Sequence, residues 1–383
     1  MAMMLRRVAL RRLLIFISVM AGLSVAARGL ESQAARDAAP VFQVDPAWPT
    51  LPKQWILGQV SGVATDAQDH VWVLQRPWSI NSDEKRKNTE AECCEAGPPV
   101  MEFDSSGNYV QGWGGKPADG SYEWPEDEHG LHVDYKRNVW VSSAGGPRMG
   151  EGKENFLVKF TSTGKFLLQI GRRAMSKGSL DTAHLNNAAD MWVHAASNEV
   201  FVADGYRNRR VIVFDADTGA FRRMWGAYGN PPDDQAPKTF VGEGPGPTQF
   251  NTVHGIKVSN DGLVYVNDRL NNRLQVFTVD GKFQREIFIE RKTQLLGTSF
   301  NTAFSPDREQ RWLYVADAGN GRVHIFDRKS LQEVGAFGRI GRYAGQFIFM
   351  HNLATDSRGN LYVSEVGTGR RVQKFVLQTR PAR

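Results

Sequence analysis

The chain is organised by short runs in which apolar and polar positions alternate, joined by turns carrying Asp, Asn or Gly. One unit reads HGIKVSNDGLVYVNDRLNNRLQVFTVDGKFQREI from His254: an apolar run, a turn, a (Val/Leu)-(Trp/Tyr)-Val run, and two further runs split by a Gly turn. Successive side chains of a strand point to opposite faces, so this period predicts strands and hairpins, not helices. The pattern returns at SGVATDAQDHVWVLQR, HGLHVDYKRNVWVSS, ADMWVHAASNEVFVADGYRNRRVIVFD, TAFSPDREQRWLYVADAGNGRVHIFD and HNLATDSRGNLYVSEVGTGRRVQKF, six copies in all. Four strands per copy predict an all-β, six-bladed β-propeller. The sixth copy runs out near the end of the sequence, so a strand at Val41 to Val44 is expected to complete the last blade and close the ring, removing exposed strand edges.

Three stretches interrupt the rhythm. Residues 77–98 and 228–249 are insertions, equally readable as padding or as binding loops. Before the repeats, Arg6, Arg7, Arg11 and Arg12 precede an apolar run from Leu13 to Ala27 that ends in small residues. That layout predicts a secretory signal at 1–27 and a linker at 28–40 before a propeller at 41–380. The rival is a membrane anchor, for which the run falls short of the ~20 residues a span needs. Secretion or a periplasmic location follows, with no stable membrane insertion once the signal is removed.

Composition then narrows the partners. The formal charge of +6 falls to +2 without the four signal arginines (6 − 4 = 2), and no basic stripe interleaved with aromatics remains, which argues against nucleic acid. The two cysteines, Cys93 and Cys94, are adjacent and cannot frame the fold. A vicinal disulfide, a thiol pair and an inter-chain bridge all fit them.

Aligning the copies on their first strand puts Ser61, His129, Ala189, His254, Phe300 and His351 in one position, with histidine in the second, fourth and sixth only. The first strand of each blade lines the channel, and alternate blades stand about 120° apart, so three imidazoles converge on the axis. Random placement of the chain's eight histidines would fill those three places with odds on the order of one in a hundred thousand. Three neutral imidazoles with an open fourth position suit catalytic zinc. His70, His132, His184, His194 and His324 lie outside the ring and read as strand or surface residues. Arg76, Tyr206 and Arg269 end second strands, where loops overhang the channel; an arginine there can grip a carboxylate, and a tyrosine of lowered pKa can move a proton.

Two resemblances follow. The Asp-x-x-Asn-x-Arg turns at Asp268, Asn271, Arg273 and at Asp317, Asn320, Arg322 resemble those of NHL repeats. The motifs GQVSGVATD at 58–66, HGL at 129–131, ADGY at 203–206, VHGI at 253–256, DR at 268–269 and MH at 350–351 are similar to those of peptidyl-α-hydroxyglycine α-amidating lyases, over about residues 41 to 377. That likeness implies zinc on His129, His254 and His351, Tyr206 as the catalytic tyrosine, Arg76 facing the substrate and Arg269 as a second site arginine. It further implies a calcium ion on the carbonyls of Val63 and Leu131 and on the residue after the third histidine. Here that residue is Asn352 where the family has aspartate, which lowers the charge available to a hard cation. Phe349-Met350-His351 stands where the family has Met-Pro-His, the animal lyases' disulfide cysteines have no counterparts, and no stretch matches their copper monooxygenase domain.

The reaction implied is cleavage of the N–C bond of an α-hydroxyglycine-type carbinolamide to an amide and glyoxylate or a related aldehyde. Two alternatives stand beside it: a metal-dependent hydrolase on the same histidines, and a non-catalytic propeller that recognises a partner.

Overall fold

A computed structural model describes residues 39–85, 93–144, 153–238 and 242–378. The signal segment expected at 1–27 lies outside the described residues, as do residues 28–38 of the linker. Six four-stranded antiparallel sheets follow one another along the chain. Their innermost strands are Gln59–Thr65, Glu128–Val133, Asp190–His194, Val253–Val258, Thr302–Phe304 and Met350–Thr355. Each of these touches the innermost strand of the next blade, and that of blade 6 returns to that of blade 1, so the inner strands form a closed ring around an axis. Phe42–Asp45 is the fourth strand of blade 6, paired antiparallel with Arg371–Leu377 from Phe42 opposite Leu377 to Asp45 opposite Lys374. The last blade is thus built from both ends of the described chain, which closes the ring.

Apolar side chains fill the spaces between blades. Trp72, Leu74, Val141, Phe156 and Phe160 pack between blades 1 and 2, and Phe201, Val213, Val253 and Val266 between blades 3 and 4. Polar pairs pin the turns. In blades 1 and 2 an aspartate at the first turn accepts a tryptophan Nε1–H from the second strand (Asp66 with Trp72, 3.1 Å; Asp134 with Trp140, 3.0 Å), and in blade 6 Asp356 accepts the hydroxyl of Tyr362 at 3.0 Å. At the opposite end of the second strand, Arg210 Nε donates to Asp204 at 2.9 Å and Arg273 Nε to Asp268 at 2.8 Å, both pairs fully buried. Blade 5 departs from the sequence motif. Arg322 is exposed, and it is His324 whose Nε2 lies 3.2 Å from Asp317.

The described parts of the insertions are anchored. Glu95–Ala96 pairs in parallel with Trp55–Ile56, and Cys93 and Cys94 are joined to each other. In the second insertion, Tyr228 Oη and the Pro247 carbonyl accept from Arg273 at 2.8 and 2.7 Å.

Candidate metal centre

The inner strands place the three histidines on the axis by a shared irregularity. In blade 4 Val253 pairs with Asp268 and Gly255 with Asn267, so His254 is an extra residue; in blade 6 the same slip falls between Met350 and Asn352, at His351. In blade 2 the register shifts between Glu128 and Leu131, around His129, and in blade 1 between Val60 and Gly62, at Ser61. A bulge turns the extra side chain away from the sheet face it would otherwise join. Here it turns the imidazoles into the channel.

Each ring is then oriented by the next blade. Nδ1 of His129 lies 2.8 Å from the carbonyl oxygen of Ala189, that of His254 2.8 Å from Phe300, and that of His351 2.6 Å from Ser61. A carbonyl only accepts, so Nδ1 carries the proton and Nε2 presents a lone pair. The three acceptors are the non-histidine members of the aligned position. Glycine after the first two histidines permits the close approach: a Cβ on Gly130 would stand 2.6 Å from the Ala189 oxygen, and one on Gly255 2.8 Å from that of Phe300. The rings lie 4.5 to 5.1 Å apart, centroid to centroid, and their ligand nitrogens all fall within 4.8 Å of one another. All three are buried. Burial, reinforced by their mutual repulsion or by Arg76, holds them neutral: His129 and His254 fall well below the usual histidine range and His351 drops to about 3. A converging set of neutral nitrogen donors can hold a divalent metal such as zinc.

Tyr206, reached by the loop after Glu199–Asp204, places its hydroxyl 3.0 Å from His129 Nε2 and 3.1 Å from His254 Nε2. Its neighbour Gly205 lies so close to Val253 that a Cβ would stand 2.1 Å from that residue's nitrogen, locking the loop to the His254 strand. Arg269 donates from Nη1 to the Tyr206 oxygen at 3.2 Å and from Nε to the Leu296 carbonyl at 2.7 Å, with its guanidinium 4.1 Å from the Phe300 ring centre. Sequence reasoning has the tyrosine pKa lowered; instead burial raises it, against the pull of Arg269 and Arg76. The resting phenol keeps its proton.

Arg76, the last residue of Val71–Arg76, is buried and heavily engaged. Its Nε lies 2.7 Å from Asp127 Oδ1 and 2.8 Å from the Glu128 carbonyl, and its Nη1 donates to Gln59 at 2.9 Å. Asp127 and Glu128 escape the sequence reading, although the acidic run Glu126-Asp127-Glu128 directly before His129 is a visible signal. Burial lifts the Glu128 carboxyl to about 7, opposed by the Trp124 Nε1–H bond at 2.9 Å.

Of the calcium residues, Val63, Leu131 and Asn352 are all buried on inner strands, and blades 1 and 2 meet closely there, with the Cβ position of Gly62 2.6 Å from that of Leu131. Asn352 Oδ1 has no hydrogen-bond partner among the described residues. An amide oxygen left this way fits a cation ligand, though one of lower charge than aspartate supplies. The remaining histidines have other partners: His70 with Glu102, His184 with Asp181, His194 with Ser197, His324 with Asp317 and Glu333. His132, on the inner strand Glu128–Val133, is buried against Trp192.

Fold and site together define a six-bladed β-propeller with a three-histidine centre able to hold a metal. Its relatives include peptidyl-α-hydroxyglycine α-amidating lyases and NHL repeat-containing proteins, at low identity. Human NHL repeat-containing protein 3 is 25% identical over 346 residues, 88% of this chain and 84% of the relative. The Drosophila melanogaster peptidyl-alpha-hydroxyglycine alpha-amidating lyase 2 is 26% identical over 86% of this chain and 74% of its own length. The mouse peptidyl-glycine alpha-amidating monooxygenase is 27% identical over 88% of this chain, which spans only 32% of that protein. A family profile described as "Lactonase, 7-bladed beta-propeller" matches residues 201–344; the blades here number six. A solved streptogramin B lyase structure overlays with a TM-score of 0.50 at 11% identity, covering 88% of this chain and 98% of that one, a likeness of fold alone.

Proposed function

We propose that the protein is an exported, zinc-dependent lyase that splits the N–C bond of an α-hydroxyglycine-type carbinolamide, releasing an amide and glyoxylate or a related aldehyde. The observation that carries this is the Tyr206 hydroxyl beside the Nε2 atoms of His129 and His254, with Arg269 on its oxygen. The lyase names among the relatives support the reaction class. The Arg-rich, apolar start of the sequence supports export.

His129, His254 and His351 would hold the zinc, which when bound would supply a Lewis acid to polarise the substrate hydroxyl and lower its pKa. The elimination takes a proton from that hydroxyl, closes its C–O bond to a carbonyl, breaks C–N and returns a proton to nitrogen. Tyr206 performs the exchange, giving its phenolic proton to the departing amide nitrogen and receiving the one the hydroxyl loses. Arg269 holds the phenol oxygen in place and stabilises it while it is deprotonated. Arg76, fixed by Asp127, presents a cation to the substrate carboxylate. Asn352 with the Val63 and Leu131 carbonyls is the proposed seat of a structural calcium ion.

The test is glyoxylate release from an N-acyl-α-hydroxyglycine by zinc-loaded protein, with His254→Ala as control. Equal release by both sinks the lyase reading. NHL repeat-containing protein 3, a relative named for its repeats and not for a reaction, supports a second reading as a recognition propeller. Stoichiometric zinc in the purified protein decides against it, and zinc with hydrolysis of esters but no glyoxylate decides for a hydrolase.

A further inference from the structure

Three residues beyond the histidine position, the same register picks out Ala64, His132, Trp192, Lys257, Ala303 and Ala354. At 3.3 Å per residue this second ring lies about 10 Å further along the inner strands. All six of its members line one cavity of about 220 Å³ at the other end of the channel, bounded outside by the turn residues Ser305, Pro306, Asp356 and Ser357. The ring is lopsided. Three neighbouring blades contribute an imidazole, an indole and an ammonium group, and the three facing them contribute alanine, with Leu131, Leu353 and Phe304 completing an apolar wall. Alanine in the second ring leaves room that larger side chains would fill.

The polar side is a built arrangement. Lys257, itself buried, lies 2.9 Å from Asp190 Oδ2, and its ammonium stands 5.3 Å from the Trp192 ring centre. The His132 ring centre is 4.5 Å from that of Trp192, and His132 Nε2 is buried without a hydrogen-bond partner among the described residues. An unmet polar nitrogen in an apolar enclosure is costly unless something completes it. Lys257 has three N–H groups, and Asp190 takes one. Asp190 offsets Lys257, and the Asp356 carboxylate accepts from Arg358 N, Asn360 N, Asn360 Nδ2 and Tyr362 Oη at 2.7 to 3.0 Å.

We propose that this cavity, which Val63 and Leu131 of the proposed calcium seat also line, is a second binding site, separate from the three histidines, for a small uncharged molecule with an apolar body and an amide-type head. Its carbonyl accepts from the Lys257 ammonium, its N–H₂ pairs with His132 Nε2, and its body lies against the three alanines. The volume falls below the roughly 300–1,000 Å³ of sites for drug-sized ligands, which limits the occupant to about one ring. A charged molecule of the same size would lose its hydration in an enclosure whose ammonium is already paired with Asp190 and whose Asp356 carboxylate is already met by four hydrogen bonds.

Benzamide is the probe, with benzoate and benzylamine as charged controls, titrated into the full-length protein and followed by ligand-observed NMR. Saturable binding of benzamide is expected, at least tenfold tighter than of either control. Ala303→Leu and Ala354→Leu, which fill the empty half without touching the polar groups, are expected to weaken it at least tenfold while the thermal midpoint holds. His254→Ala is expected to leave it unchanged. No saturable binding to the wild type, benzoate or benzylamine binding as tightly as benzamide, or full binding in the alanine variants overturns the proposal, and loss in His254→Ala places the ligand on the metal centre instead.

Discussion

His351 Nδ1 stands 2.6 Å from the carbonyl oxygen of Ser61, a residue 290 positions earlier in the chain. That bond joins blade 6 to blade 1, so the orientation of the third imidazole depends on closure of the ring. The other two imidazoles are held the same way by Ala189 and Phe300, and these three contacts decide whether the centre exists as a ligand set.

Replacing any one of the three histidines by alanine removes a donor from a set that has no spare. Zinc affinity should fall by more than the 10–100-fold typical of losing a residue that merely supports a ligand. Metal analysis after dialysis against a competing chelator reads this, and an unchanged metal content in all three variants would show that the metal sits elsewhere.

Tyr206→Phe keeps the ring packed between His129 and His254 but deletes the hydroxyl. Turnover should drop by roughly 10²–10⁴-fold with zinc content unchanged, as expected for a lost proton-transfer group. A variant that loses zinc along with activity assigns Tyr206 to holding the centre, not to the chemistry.

Stability of the metal-free protein should rise with pH across the weakly acidic range. His351 titrates near 3 when folded against an ordinary value of 6.5, and His129 and His254 move in the same direction, so the unfolded chain binds protons that the folded chain does not. Their contribution is complete above about pH 6.5 and is lost as pH falls toward 3. Glu128, raised from 4.5 to about 7, acts in reverse: its contribution is present below about 4.5 and lost as pH rises through 7. His132, lowered by burial to about 3, adds to the histidine side, and Glu154 and Asp268, raised by burial, add to the opposing one; the histidines together predict a thermal midpoint that climbs between pH 5 and 7, and climbs more steeply in Glu128→Gln. A flat profile in both proteins contradicts the assignment.

Gly130→Ala puts a methyl group 2.6 Å from both the Ala189 oxygen and Ser142 Oγ. The carbonyl that orients His129 must then move. We expect a loss of about 1–3 kcal/mol in stability from the overpacking, together with weaker zinc binding. Gly130→Ala with wild-type zinc affinity would show that His129 needs no such orientation.

Much of this was legible in the sequence because the repeat is written in local chemistry. Alternation, D-G and T-G turns and (Val/Leu)-(Trp/Tyr)-Val runs are short-range signals, and six copies of them leave a propeller as the economical way to bury their faces. The shared position of His129, His254 and His351 emerged from the same alignment, since register within a repeat carries over to register around the ring. The motif spacing does not tell which of two residues on the third strand turns inward, and in blade 5 that residue is His324, not Arg322.

The sequence by itself determined the number of blades, the ring position and the identity of the groups that meet there, since each follows from periodicity and residue type. Only the tertiary structure decided how those groups are aimed. The bulges at the histidines, the carbonyls that fix their tautomer, the burial that holds Tyr206 protonated and the pairing of Arg76 with Asp127 all arise between blades. Such contacts join residues far apart in the chain, and no local pattern of hydrophobic and polar positions encodes a distance across the axis.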